Sequence, residues 1–186
     1  MRKLFFCATF LAALSIGISS CTDSTDVWEQ YQEWRTINDD FYNEQLARTN
    51  PDGTKYYSLL QPAWYPQSGV LIHYFNDRAE TEGNLSPMYT STVDTRYHLA
   101  YCEGTPIDSS TNITTYGPGI FRTQLSAVIP GWVIAMEDMR VGDTAEVLIP
   151  YQQGYGTNTA SGILPYSALK FNIRLVDIVD YEKNPK

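Results

Sequence analysis

Val128-Ile129-Pro130-Gly131-Trp132 opens the most informative segment of the chain. From Pro130 the period is helical, with Trp132, Ala135, Met136 and Met139 forming a short apolar stripe that ends at Gly142-Asp143. Directly after it, Ala145-Glu146-Val147-Leu148-Ile149 alternates as a strand does. Further out, the same period of two recurs on both sides. Upstream, Thr95 to Cys102 places Tyr97, Leu99 and Tyr101 on one face, and Val70 to Phe75 is a short apolar and aromatic run. Downstream, Leu169, Phe171, Ile173 and Leu175 face one way, and Lys170, Asn172 and Arg174 the other. Residues 108 to 118 and 154 to 162 are rich in small and turn-forming types and read as loops. One short helix among several antiparallel-looking strands predicts an α+β domain, a curved sheet wrapped on that helix.

Five segments, in order, carry a family resemblance. They are Glu103-Gly104-Thr105-Pro106-Ile107-Asp108-Ser109-Ser110, Val128 to Trp132, Met139-Arg140-Val141-Gly142-Asp143, Ile149-Pro150 with Tyr155-Gly156, and Ile163-Leu164-Pro165-Tyr166-Ser167-Ala168-Leu169-Lys170-Phe171. Together they resemble the FKBP-type peptidyl-prolyl cis–trans isomerases over residues 66 to 182. The resemblance implies an FKBP-like fold and rotation of X–Pro peptide bonds without metal or cofactor. It also implies roles. Tyr97, Val128, Ile129, Trp132 and Phe171 would line an aromatic cup with Trp132 as its floor. The Ile129 N–H and the Tyr155 hydroxyl would hold substrate carbonyls, Asp108 would stand at the rim, and Ile107, Phe121 and Ile163 would touch the substrate.

Those residue types suit the chemistry. The barrier to rotating a peptide bond is ~18–20 kcal/mol, and uncatalysed X–Pro exchange takes tens to hundreds of seconds. A twisted amide has lost its resonance and is less polar than a planar one, so a dry aromatic cup favours it without a nucleophile. Two departures from the family pattern predict a wider, less aromatic pocket: Ile107 stands where the family usually has phenylalanine, and Gly119 falls where a second phenylalanine is common. The loop from Tyr155 to Ile163 also carries no aromatic or histidine, and no basic residue is evident to steady Asp108. A binding module that keeps the cleft but isomerises poorly is therefore the alternative reading.

The N-terminal third reads differently. Arg2 and Lys3 precede a mostly apolar run from Leu4 to Ile18, followed by Ser19 and Ser20, the pattern of an export signal over residues 1 to 20. Ile18-Ser19-Ser20-Cys21 resembles a lipobox, which makes Cys21 the expected acylated residue and a membrane lipid anchor the expected attachment. Residues 21 to 65 then supply a polar tether and a helix beginning near Asp26, with Trp28, Tyr31, Trp34, Ile37, Phe41 and Leu46 on an apolar face. That face either packs on the chain's own domain or dimerises. Residues 183 to 186 form a short tail.

Composition narrows the partners. The formal charge is −8, and because Arg2 and Lys3 lie in the leader, 11 of the 13 basic residues remain after it against 21 acidic ones. Such a surface does not suit a phosphate backbone, so nucleic acid is not an expected partner. X–Pro segments of exported polypeptides are. With Cys7 in the leader and Cys21 carrying lipid, Cys102 is the one remaining thiol, expected to be buried and structural. His73 and His98 have no cysteine or carboxylate cluster at metal-ligand spacing, so no metal and no cofactor are assigned.

Overall fold

A computed structural model describes residues 27–158 and 162–182. The export signal, Cys21, the helix start at Asp26 and the tail from 183 lie outside the described residues. Within them, a short helix α1 (Val27–Gln30) leads into α2 (Gln32–Ala47), then β1 (Ser58–Leu60), β2 (Val70–Tyr74), β3 (Thr92–Tyr101), β4 (Pro106–Ser109) and β5 (Phe121–Gln124). Helix α3 (Pro130–Asp138), β6 (Thr144–Ile149) and β7 (Leu169–Asp180) follow. The strands form one sheet in the order β1-β2-β6-β7-β3-β4, and β5 also pairs with β3. Every pairing is antiparallel.

The period of two sorts the side chains. Val70 and Ile72, Ala145, Val147 and Ile149, and Leu169, Phe171, Ile173 and Leu175 join one buried cluster with Trp132, Ala135, Met136 and Met139 of α3. This is the α+β architecture expected, a curved antiparallel sheet on one short helix. Pro130 opens α3, where its missing N–H costs no helical bond. Gly131 is required by packing: a Cβ there would stand 2.3 Å from Cγ2 of Ile149 on β6. The helix therefore approaches the sheet more closely than any side chain at that position allows.

Strand β2 is apolar without alternation because it is covered on both faces. Leu71 and Leu148 point away from α3 into a second cluster with Tyr57, against which Phe41, Tyr42 and Tyr56 pack. Helix α2 is fastened across this outer face by polar bonds. The Trp34 indole N–H donates to Ser167 Oγ (3.0 Å), the Ala168 N–H donates to Asn38 Oδ1 (2.8 Å), and the Tyr42 hydroxyl donates to the Gly69 carbonyl (3.1 Å). Trp34 also meets Tyr101 edge-on at 5.5 Å. The face in contact runs Trp34, Asn38 and Tyr42, whereas the expected stripe included Ile37 and Leu46, both of which are exposed. Buried hydrogen bonds of Asn38 turn the helix to that face, a term that apolar spacing does not register.

Three short strands were not foreseen. β1 extends the sheet from Ser58, ahead of the expected domain start at residue 66. β4 lies partly inside the expected 108–118 loop, and β5 follows it. β4 pairs with His98 to Ala100 and β5 with Thr92 to Thr95, so the two lie end to end along one edge of β3. Each has only three or four residues, too few to show a period.

Candidate active site

Four aromatic rings meet where β3, β5, β7 and the start of α3 converge. Trp132 is edge-on to Tyr97 (5.5 Å between centroids), to Phe171 (5.4 Å) and to Phe121 (6.2 Å), and Tyr97 is edge-on to Phe121 (5.5 Å). Edge-to-face contacts of this kind fix ring orientation beyond what burial alone does. The rings enclose an open cup of about 250 Å³, whose wall is completed by Leu99, Asp108, Ala127, Val128, Ile129 and Tyr155.

Each lining residue is placed by its element. Tyr97 and Leu99 are two apart on β3 and share its inner face, and Leu99 lies opposite Phe171 on β7. Phe121 begins β5 opposite Thr95. Ile129 caps α3 in extended geometry, and its carbonyl accepts from Trp132 N–H (3.0 Å). Its own N–H precedes the first helical turn and has no place in the helix's bond ladder. Tyr155 stands on a turn closed by Gly156 N–H donating to the Tyr151 carbonyl (2.9 Å), and is 37% exposed.

The rim is polar. Tyr97 donates its hydroxyl to Asp108 Oδ2 (2.6 Å), while Asp108 Oδ1 accepts from the Ser109 N–H (2.7 Å). Burial, then the bond to Asp108 and its charge, push the Tyr97 pKa well above the ordinary tyrosine value. Burial, then Asp108, also raise that of Tyr155. Both phenols are therefore neutral hydrogen-bonding groups at physiological pH. Among the described residues, the lining holds no serine, cysteine, lysine or histidine. What it can do is exclude water and orient a carbonyl.

Two of the expected contacts lie elsewhere. Ile107 does not line the cup; it packs half-buried against the core that holds Trp132 and Phe171 and lines an adjoining groove with His98, Pro106, Lys170 and Asn172, which shares Leu99 and Asp108 with the cup. Ile163 is buried in the core beside the cup, not on its wall. Phe121, expected to touch the substrate, stands on the wall against Tyr97 and Trp132, whereas Gly119 brings no ring to it. Gly119 instead takes a φ of +72° beneath the Arg96 side chain. Sequence reasoning missed Leu99 and Ala127 as lining residues. Leu99 was discoverable from its alternation with Tyr97; Ala127 carried no signal beyond adjacency to Val128.

A sheet wrapped on one helix, with an aromatic cup at the helix start, gives a site that can enclose a segment of polypeptide and exclude water from it. The family model for FKBP-type peptidyl-prolyl cis-trans isomerase matches residues 83–176, half of the chain, and the protein belongs to that family of enzymes. Among curated relatives, the macrophage infectivity potentiator of Trypanosoma cruzi is 29% identical over 182 residues, covering 96% of this chain and 84% of that protein. The outer membrane protein MIP of Legionella longbeachae is 36% identical over 93 residues, covering 50% of this chain and 38% of its own length. This chain thus spans well under half of the Legionella protein. The crystal structure of a peptidyl-prolyl cis-trans isomerase from Pseudomonas syringae shares the fold, with a TM-score of 0.62 and 22% identity over 80% of this chain and 95% of that one.

Proposed function

We propose that this protein isomerises X–Pro bonds in exported polypeptides within the cell envelope, assisting their folding, while an acyl chain on Cys21 holds it to a membrane. The observation that carries the catalytic part is the four-ring cup of Tyr97, Phe121, Trp132 and Phe171 with two neutral phenols at its mouth. In this reading the prolyl ring lies over Trp132, between Phe171, Val128 and Ile129. The Ile129 N–H and the Tyr155 hydroxyl hold the carbonyls on either side of the bond. Asp108 fixes Tyr97 and leaves an acceptor at the rim.

Catalysis follows from differential solvation. The planar amide loses more than the twisted one on leaving water, so enclosure narrows the gap between them. No proton moves and no bond forms. The experiment is kcat/KM on a panel of X–Pro peptides. Turnover above background is expected; a folded wild type inactive across the panel would leave only the binding module.

The envelope reading rests on the signal over residues 1 to 20 and on Ile18-Ser19-Ser20-Cys21. Cys21→Ala is expected to abolish lipid labelling and to move the protein from the membrane to the soluble fraction. A labelled, membrane-bound variant would end that reading. Of the two roles expected for the N-terminal helix, packing on its own domain is supported by the bonds from Trp34, Asn38 and Tyr42.

A further inference from the structure

A second groove adjoins the cup. It holds about 510 Å³ and is lined by Trp64, Tyr89, Val128, Pro130, Val133 and Glu137. Val128 belongs to both spaces, so its side chain forms the ridge between them. Among the described residues, Glu137 is the one charged residue of the lining. Trp64 is 62% exposed and Tyr89 54% exposed, so neither contributes much to the core. Trp64 stacks on Tyr65 at 6.4 Å, which widens the aromatic surface at this edge. Tryptophan and tyrosine are the residue types that dominate interaction sites energetically.

We propose that this groove is a second subsite for the same polypeptide, taking an apolar or aromatic side chain near the proline. The inference rests on reading the cup as the prolyl site. Continuity through Val128 argues for this occupant: a chain leaving the cup over that ridge enters the groove directly. An extended chain advances ~3.3 Å per residue, so roughly two or three residues span the ridge. Trp64 and Tyr89 then select unfolded segments in which a proline has a large apolar neighbour, the composition of a core strand not yet buried. They also act on binding and not on bond rotation, because they do not touch the amide.

The test uses the full chain and three fluorescent peptides with one X–Pro core. The first is short; the second adds leucine or phenylalanine two or three residues to either side; the third is the second with the proline replaced by alanine. The wild type is expected to turn over the second peptide about tenfold better than the short one, the equivalent of about 1.4 kcal/mol, through KM and not kcat. Trp64→Ala and Tyr89→Ala are expected to erase that gain, leave the short peptide's kcat/KM unchanged and weaken binding of the proline-free peptide. A gain that is absent, or that survives both substitutions, overturns the proposal. So does a concentration-dependent dimer that Trp64→Ala dissociates, since the groove would then hold a second copy. If the wild type isomerises nothing yet binds the proline-free peptide through Trp64, the reading of the cup fails and the groove assignment stands.

Discussion

Tyr97 of β3 and Asp108 of β4 are joined at 2.6 Å, phenol to carboxylate, across the mouth of the cup. The bond ties an edge strand of four residues to the ring system beneath it. Tyr97→Phe keeps the ring and removes the bond. A typical intramolecular hydrogen bond contributes about 1 kcal/mol, so kcat/KM on an X–Pro peptide is expected to fall about fivefold. The melting temperature should change by only a few degrees. A loss of several orders of magnitude would show that the hydroxyl itself contacts the reacting amide.

The same phenol gives an alkaline signature. Burial first, then hydrogen-bonded carboxylates, raise the pKa values of Tyr57, Tyr74 and Tyr97 above the ordinary ~10. An unfolded chain releases these protons near pH 10, while the folded chain retains them. Their stabilisation is thus fully present below pH ~10 and is lost as pH rises from there through the folded values. Urea unfolding from pH 7 to 11 should give a flat stability followed by a decline. Tyr97→Phe should make the decline shallower, and an unchanged slope would remove Tyr97 from the account.

Phe121 and Ile107, both expected to touch the substrate, are placed differently. Phe121 touches Tyr97 and Trp132 on the wall, whereas Ile107 packs against the core and lines the adjoining groove. Phe121→Leu should lower kcat/KM about tenfold, as expected for an interaction of about 1.4 kcal/mol lost from the transition state. Ile107→Phe should not raise it. A rise with Ile107→Phe would mean that β4 presents the other face to substrate.

Gly131 tests the approach of α3 to β6. With Ile149 Cγ2 2.3 Å from a built Cβ, Gly131→Ala forces the helix or Ile149 to move. Overpacking of this kind costs about 1–3 kcal/mol, read as a lower urea midpoint with unchanged slope. Ile149→Val in the same chain retains Cγ2 but removes Cδ1, itself 2.9 Å away, so it should recover only part of the loss.

Most of the sheet and the cup was legible because both follow periodicity. The alternation of Leu169 to Leu175, with the stripe from Trp132 to Met139, yields β7 and α3 directly, and Tyr97, Trp132 and Phe171 fall at their junction. What was not legible depends on pairing or on polar contacts. Strand β5 is an edge ladder of four pairs, and counting back from Val128 cannot see that ladder. Asn38 is polar, so an apolar count assigns it to water, yet it is 2% exposed because Ala168 donates to it. Val70-Leu71-Ile72 has no period for the converse reason: both faces of β2 are covered, one by α3 and one by the segment from α2 to Tyr57.

The fastening of α2 also orders events in time. Trp34 and Asn38 are bound to Ser167 and Ala168, partners 133 and 130 positions later in the chain. A chain synthesised from its N-terminus presents the helix early, yet these clasps cannot close until residue 168 has emerged. Until then Leu71 and Leu148 lack the helix fastened across them, and the outer layer of the sheet stays incomplete. Contacts of such long range slow folding through the entropy of loop closure. The last strand, β7, begins at Leu169, immediately beyond the clasp, and pairs with both β3 and β6. Emergence of β7 thus supplies the sheet's central strand just after Ser167 and Ala168 supply the helix's latch, which couples the two layers into one step.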